Sequence, residues 1–259
     1  MASNIPAVRP RFTPGALVSQ TAPASWRLVI PAGPGGRYRL AQLDDYHDRP
    51  RKDFPWQPPV TLSLRGRASA RHLPGTWGFG LWNDLFGFAL LKGGGLRLPA
   101  LPNATWFFFA SPPNYLSLRD NLPAQGSLAA TFRSPRWPSL FSLLGPPLLP
   151  FILLPPAARL FRRWARRIVR QDAASLTFDP SDWHTYTLSW DALQTTFQVD
   201  GETVLETPVS PDGPLGLVLW LDNQFAALPP DGRFRYGTLS NPEGAWVEIE
   251  ELVVHEFRK

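Results

Sequence analysis

Between Val60 and Ala70, the residues Leu62, Leu64, Gly66 and Ala68 alternate with Ser63, Arg65, Arg67 and Ser69. A period of two puts successive side chains on opposite faces, as in a strand with one buried side. Segments of similar character run from Trp26 to Ile30, Tyr38 to Leu43, Thr76 to Leu91 and Ala104 to Ala110. They resume from Trp183 to Trp190, Thr195 to Val199, Leu215 to Asp222 and Trp246 to Phe257. Proline and glycine clusters separate them. About a dozen strands at this density predict an all-β chain, an antiparallel β-sandwich jelly roll filling residues 1–259 as one domain.

One stretch, 139–170, breaks the alternation and reads as an insertion. Its first part, Leu140 to Leu154, is almost wholly apolar but carries Pro146, Pro147 and Pro150, with Pro155 and Pro156 following. It is shorter than the roughly 20 apolar residues that a helix needs to cross a bilayer, and its prolines break it. The second part predicts an amphipathic helix, because Leu160, Phe161, Trp164 and Ile168 share a helical face. Arg159, Arg162, Arg163, Arg166, Arg167 and Arg170 occupy most of the rest. Two readings follow: a surface that sits on anionic lipid, or a lid that packs its apolar stripe on the sandwich and leaves its arginines in water.

Composition sharpens this picture. With 44% hydrophobic and 18% charged residues the chain is not disordered, and its 30 prolines and 20 glycines suit an architecture rich in turns. It has no cysteine, so disulfides and thiolate metal sites are excluded. The net charge of +5 is supplied entirely by the six insertion arginines. Nucleic acid is therefore disfavoured as a partner, since no stacking platform accompanies this local basicity. The N-terminal residues carry no apolar run of signal-peptide length, so we expect a cytoplasmic protein, with a peripheral membrane contact if the insertion meets lipid.

The segment Asp182-Trp-His-Thr-Tyr-Thr-Leu-Ser-Trp190, followed by Thr195-Thr-Phe-Gln-Val-Asp-Gly201, resembles the laminarinase and lichenase family of β-glucanases and its concanavalin A-like lectin relatives. In that family an FHxYxLxW strand pairs with a strand ending in VDG. Gly75-Thr76-Trp77 and Leu81-Trp82 look like the strand pair that precedes the family's catalytic strand, and Trp246 to Val254 looks like the closing strand. The resemblance implies a glucanase-type jelly roll whose next strand carries alternating carboxylates. Here that strand is Ala104-Thr-Trp-Phe-Phe-Phe-Ala-Ser111, which has no acid. The family's two-carboxylate hydrolysis cannot be carried over residue by residue.

Two functional readings are open. One is a non-catalytic module in which a concave face built from Trp77, Trp82, Trp106, Phe108, Trp220, Asp222 and Asn223 binds a glycan or an amphiphile such as a glycolipid. The other is a glycosidase-like hydrolase whose acids have moved to Asp84 and Asp222. Asp84 also reads as a turn residue, and Trp220 beside Asp222 as a core tryptophan with a polar strand end. The run Asp44-Asp45-Tyr46-His47-Asp48 offers oxygen and imidazole ligands, but alternation sends neighbours to opposite faces, and we read it as a solvated loop. His72, His184 and His255 read as core or edge histidines, and Asn103-Ala-Thr105 is a glycosylation sequon. We expect no metal and no cofactor. Outside the sandwich, the membrane-or-lid residues are Leu160, Phe161, Trp164, Ile168, Arg162, Arg163, Arg166 and Arg167.

Overall fold

The computed structural model describes residues 6–85, 100–136 and 153–257. The part of the apolar segment from Leu140 to Ile152 and the extension of the strand predicted from Thr76 to Leu91 lie outside the described residues. Two seven-stranded antiparallel sheets face each other. The first runs β1 (Arg9–Phe12), β4 (Leu40–Asp44), β13 (Gly216–Asp222), β6 (Thr76–Trp82), β7 (Ala104–Ala110), β8 (Gly126–Arg133), β9 (Arg170–Ser175). The second runs β12 (Glu202–Thr207), β11 (Thr195–Val199), β10 (His184–Trp190), β5 (Val60–Ala68), β16 (Ala245–Glu256), β3 (Ser25–Ile30), β2 (Leu17–Ala22). A ribbon of β14 (Gln224–Ala227) and β15 (Arg235–Thr238) stands apart. The all-β jelly-roll sandwich predicted from the alternation is the fold observed.

The core between the sheets follows from the period of two. Leu62 and Leu64 of β5 and Tyr186, Leu188 and Trp190 of β10 meet Trp77, Phe79 and Leu81 of β6, Phe107 and Phe109 of β7, and Leu217, Leu219 and Leu221 of β13. Trp77 and Phe109 stack with ring centroids 3.7 Å apart. The motif hairpin forms as read: Tyr186 pairs with Val199 and Trp190 with Thr195. Asp200 (φ 52°) and Gly201 (φ 85°) then turn the chain into β12. Positive φ at both central residues matches the twist of tight hairpins, which is why Asp-Gly sits there.

The insertion leaves from β8 and returns in β9, two strands paired in register from Leu128↔Ser175 to Arg133↔Arg170. Its helix, α1 (Pro155–Ile168), is turned the other way from the lid expectation. The buried residues are Ala158, Arg162 and Ala165, at positions i, i+4 and i+7 on one side. Leu160, Phe161 and Trp164 are exposed by 60%, 37% and 41%. The reason is local: the guanidinium of Arg162 donates to the carbonyls of Ser117 and Leu228, pairs with Asp120 and lies 5.3 Å over the Tyr115 ring. Small alanines on either side let the helix sit close enough for that reach. No described helix is long and apolar enough to cross a membrane.

Candidate functional site

The face of the first sheet turned away from the second is aromatic because β6 places glycine at two of its outward positions. A Cβ at Gly78 would lie 2.3 Å from the Phe107 carbonyl oxygen and 2.7 Å from Trp220 Cη2; one at Gly80 would lie 2.5 Å from Trp106 Cβ. No side chain fits, so Trp106 from β7 and Trp220 from β13 lean over β6 and meet with centroids 5.8 Å apart. Phe108 closes the triangle at 5.2 Å from Trp106 and 5.1 Å from Trp220. Trp82 extends it, 5.9 Å from Trp106. The tilted pairings suit rings with negative faces and positive edges. Trp106 and Trp220 are buried, whereas Trp82 and Phe108 are half-buried.

The wall ends at a polar cluster around Asp222. Its Oδ1 accepts from Thr76 Oγ1 at 2.9 Å and from the amides of Gln224 and Thr76 at 3.1 and 3.3 Å, and the Tyr38 hydroxyl lies 3.5 Å from its Oδ2. Thr76 Oγ1 also accepts from the Trp220 indole at 3.0 Å, linking wall to carboxyl. Burial pushes the Asp222 pKa up to about 7, outweighing those donors. Burial and the nearby Asp222 charge raise the phenol of Tyr38 and, less strongly, that of the half-exposed Tyr236.

Toward the other end of the same face, β4 brings Gln42 and Asp44 opposite Trp220 and Val218. Asp44 is fully buried, accepts from Gln42 Nε2 at 2.8 Å and lies 3.8 Å from the Arg11 guanidinium. Its Oδ1 has no hydrogen-bond partner. Desolvation raises its pKa against the pull of Gln42 and Arg11.

Several sequence expectations need correction. Trp77 is not on this face; it lies between the sheets and lines a cavity of about 370 Å³ at the sandwich end with Phe109, Leu176 and Phe178. Asn223 is buried and spent on backbone: it accepts from Arg39 N and donates to the carbonyls of Arg37 and Leu239. Asp84 sits in a left-handed turn (φ 48°) whose carbonyl accepts from Arg51. The Asp44–Asp48 run is not simply a solvated loop, since Asp44 and Tyr46 are buried and Asp45 holds the Trp56 indole and the Leu217 amide at 2.6 and 2.9 Å. Among the described residues no group of three or more His, Asp or Glu could hold a metal ion.

The sequon asparagine, Asn103, is buried and clamps Ser134 and Asp212. His184, at the start of β10, bridges Asp200 and the Asp179 carbonyl. Sequence reasoning missed the two glycines and Tyr38. The signal was present in Thr76-Trp-Gly-Phe-Gly-Leu-Trp82, where glycine alternates with large apolar residues and so falls on a single face.

The geometry of this face bears directly on hydrolysis. Asp222 pairs with Thr76 at one end of β6, whereas Asp84 follows Trp82 at the other. Thr76 and Trp82 are six residues apart, about 20 Å at roughly 3.3 Å each, and Asp84 lies two residues further on. Asp44 and Asp222 are four residues and one strand apart, about 14 Å. A retaining pair needs about 5 Å and an inverting pair about 6.5–9.5 Å.

The fold and this face together define an antiparallel β-sandwich jelly roll with an aromatic outer wall. No family model and no curated protein matches the sequence. Among solved structures the chain is similar to LamAcat from Zobellia galactanivorans, at 12% identity over 93% of this chain and 80% of that one, with a TM-score of 0.49. It is similar also to a Bacillus licheniformis β-glucanase, at 10% identity over 93% and 82%, TM-score 0.48. A legume lectin-like domain from Entamoeba histolytica matches at 9% identity over 97% and 90%, TM-score 0.48. Likeness at this level assigns neither a ligand nor a reaction.

Proposed function

We propose that the protein is a non-catalytic binding protein whose outer aromatic face takes an amphiphilic ligand of the glycolipid kind. Its apolar body would lie against Phe108, Trp82 and the edges of Trp106 and Trp220, and its hydroxyl-bearing head at Asp222, Tyr38 and Tyr236. The observation that carries this reading is the continuity of the wall with the buried carboxyl of Asp222 at one end. Aromatic planes take C–H surface and a carboxyl accepts hydroxyls. A glycan alone is the coarser form of the same reading. The hydrolase reading is disfavoured by the spacing of Asp222 from both Asp44 and Asp84.

The test is a thermal-shift screen of the full chain against β-glucans, simple sugars, fatty acids and glycolipids. A ligand at one hundred times its Kd stabilises by about 2.7 kcal/mol, well above detection. We expect a glycolipid to raise the Tm and Asp222→Asn to remove most of the shift. A rise with β-glucan alone would narrow the reading to glycan. Steady release of reducing sugar from laminarin or lichenan, lost in Asp222→Asn, would overturn it in favour of hydrolysis.

A further inference from the structure

We infer that α1 is a docking surface for an anionic phospholipid bilayer. The inference rests on the helix alone and stands whether or not the outer face binds a ligand. The orientation of α1 carries it. Arg162, only 3% exposed, is the seat of the helix and is consumed by Ser117, Leu228, Asp120 and Tyr115. With that side fixed inward, about 100° per residue places Leu160, Trp164, Ile168 and Phe161 together on one outward flank and Arg159, Arg163 and Arg166 on the other. Leu160 and Arg167 share the outermost line. Leu153 and Leu154, 65% and 56% exposed, continue the apolar flank at the helix start.

Leu153, Leu154, Leu160 and Phe161 put apolar surface into solvent, and such a grouping marks an interaction site. Its composition selects the partner. The helix contains no acid, and its arginine flank borders a cavity of about 400 Å³ lined by Arg159, Arg162, Arg163 and Arg166, with Asp120 as its acid. Asp120 already pairs with Arg162 and lies 3.6 Å from Arg166. The cavity therefore keeps an excess of positive charge and fits a phosphate headgroup. A second copy seated symmetrically on the stripe would bring two arginine flanks together, which disfavours self-association. Apolar side chains beside flexible cations are what the boundary between headgroups and acyl chains accommodates.

Sedimentation of the full-length protein with vesicles tests this, comparing pure phosphatidylcholine with equal parts phosphatidylcholine and phosphatidylserine. We expect binding to the anionic vesicles alone, weakening as salt shortens the screening length. Each of Arg163→Gln and Arg167→Gln should lower the partition coefficient about fivefold. Leu154→Ala with Leu160→Ala should abolish binding with little change in Tm. Four results would each overturn the inference: no binding at low salt; a stripe variant that binds as well as the parent; a stripe variant whose Tm falls as a core change would make it fall; or a lipid-free dimer that the stripe variant dissolves. Saturable binding of inorganic or inositol phosphate without vesicle binding would reassign the cavity to a soluble anion.

Discussion

At the scale of single residues, the polar groups that matter most are buried amides that hold loops in place. Asn223 satisfies one amide and two carbonyls across three segments, Asn114 does the same elsewhere, and Asn83 and Asn103 also bridge backbone amides and carbonyls. An unmet buried donor or acceptor costs about 1–3 kcal/mol. Asn223→Ala should therefore lower unfolding stability by at least about 2 kcal/mol, read as a fall in urea midpoint with an unchanged slope. Asp222 makes a different prediction. Its pKa is raised to about 7, whereas an unfolded aspartate titrates near 3.9. Between those values the native state holds a proton that the unfolded chain has released. Stability is thus greatest below the unfolded pKa, falls as pH rises toward about 7, and levels off above it. Asp45, raised to about 7 by the same burial, acts in the same direction. Urea midpoints at about pH 5 and pH 8 should differ in the parent and differ less in Asp222→Asn, where the contributions of Asp45 and Asp44 remain.

At the scale of elements, α1 shows how far periodicity reaches. The stripe of Leu160, Phe161, Trp164 and Ile168 was legible in the sequence, and so was the helix. Its direction was not, because an apolar stripe normally turns inward and Arg162 reads in the sequence as one arginine of six. What distinguishes it is a set of acceptors from residues far away in the chain: Ser117, Asp120 and Leu228. Removing a buried guanidinium from such partners costs roughly 3 kcal/mol or more, while an exposed surface change stays within about 0.5 kcal/mol. Arg162→Ala should therefore lower the Tm and open α1 to limited proteolysis, and Arg163→Ala should do neither. Strand β6 gives the opposite case. Its alternating glycines look like weak strand formers in isolation, yet they create the space that lets Trp106 and Trp220 meet.

At the scale of the whole molecule, sequence by itself determined the fold class, because every strand with one face on the inter-sheet core repeats its apolar residues at period two. Val60 to Ala68 and Thr195 to Val199 were readable for this reason, Ala104 to Ala110 as a short apolar run bounded by turn residues, and so was the turn at Asp200-Gly201, where backbone conformation selects the residue type. The short edge strands β1, β2, β12, β14 and β15 were not read, since few of their residues are buried and their pattern is weak. The absence of an acid from Ala104 to Ser111 was equally legible. Only the tertiary structure decided which of two apolar faces was outward. Trp77 and Trp82 lie five residues apart on one strand, and odd spacing sends one into the core and the other to the wall. Only the structure, too, set the distances between Asp44, Asp84 and Asp222, because separation across a sheet depends on register and strand order, which pairings distant in the chain establish.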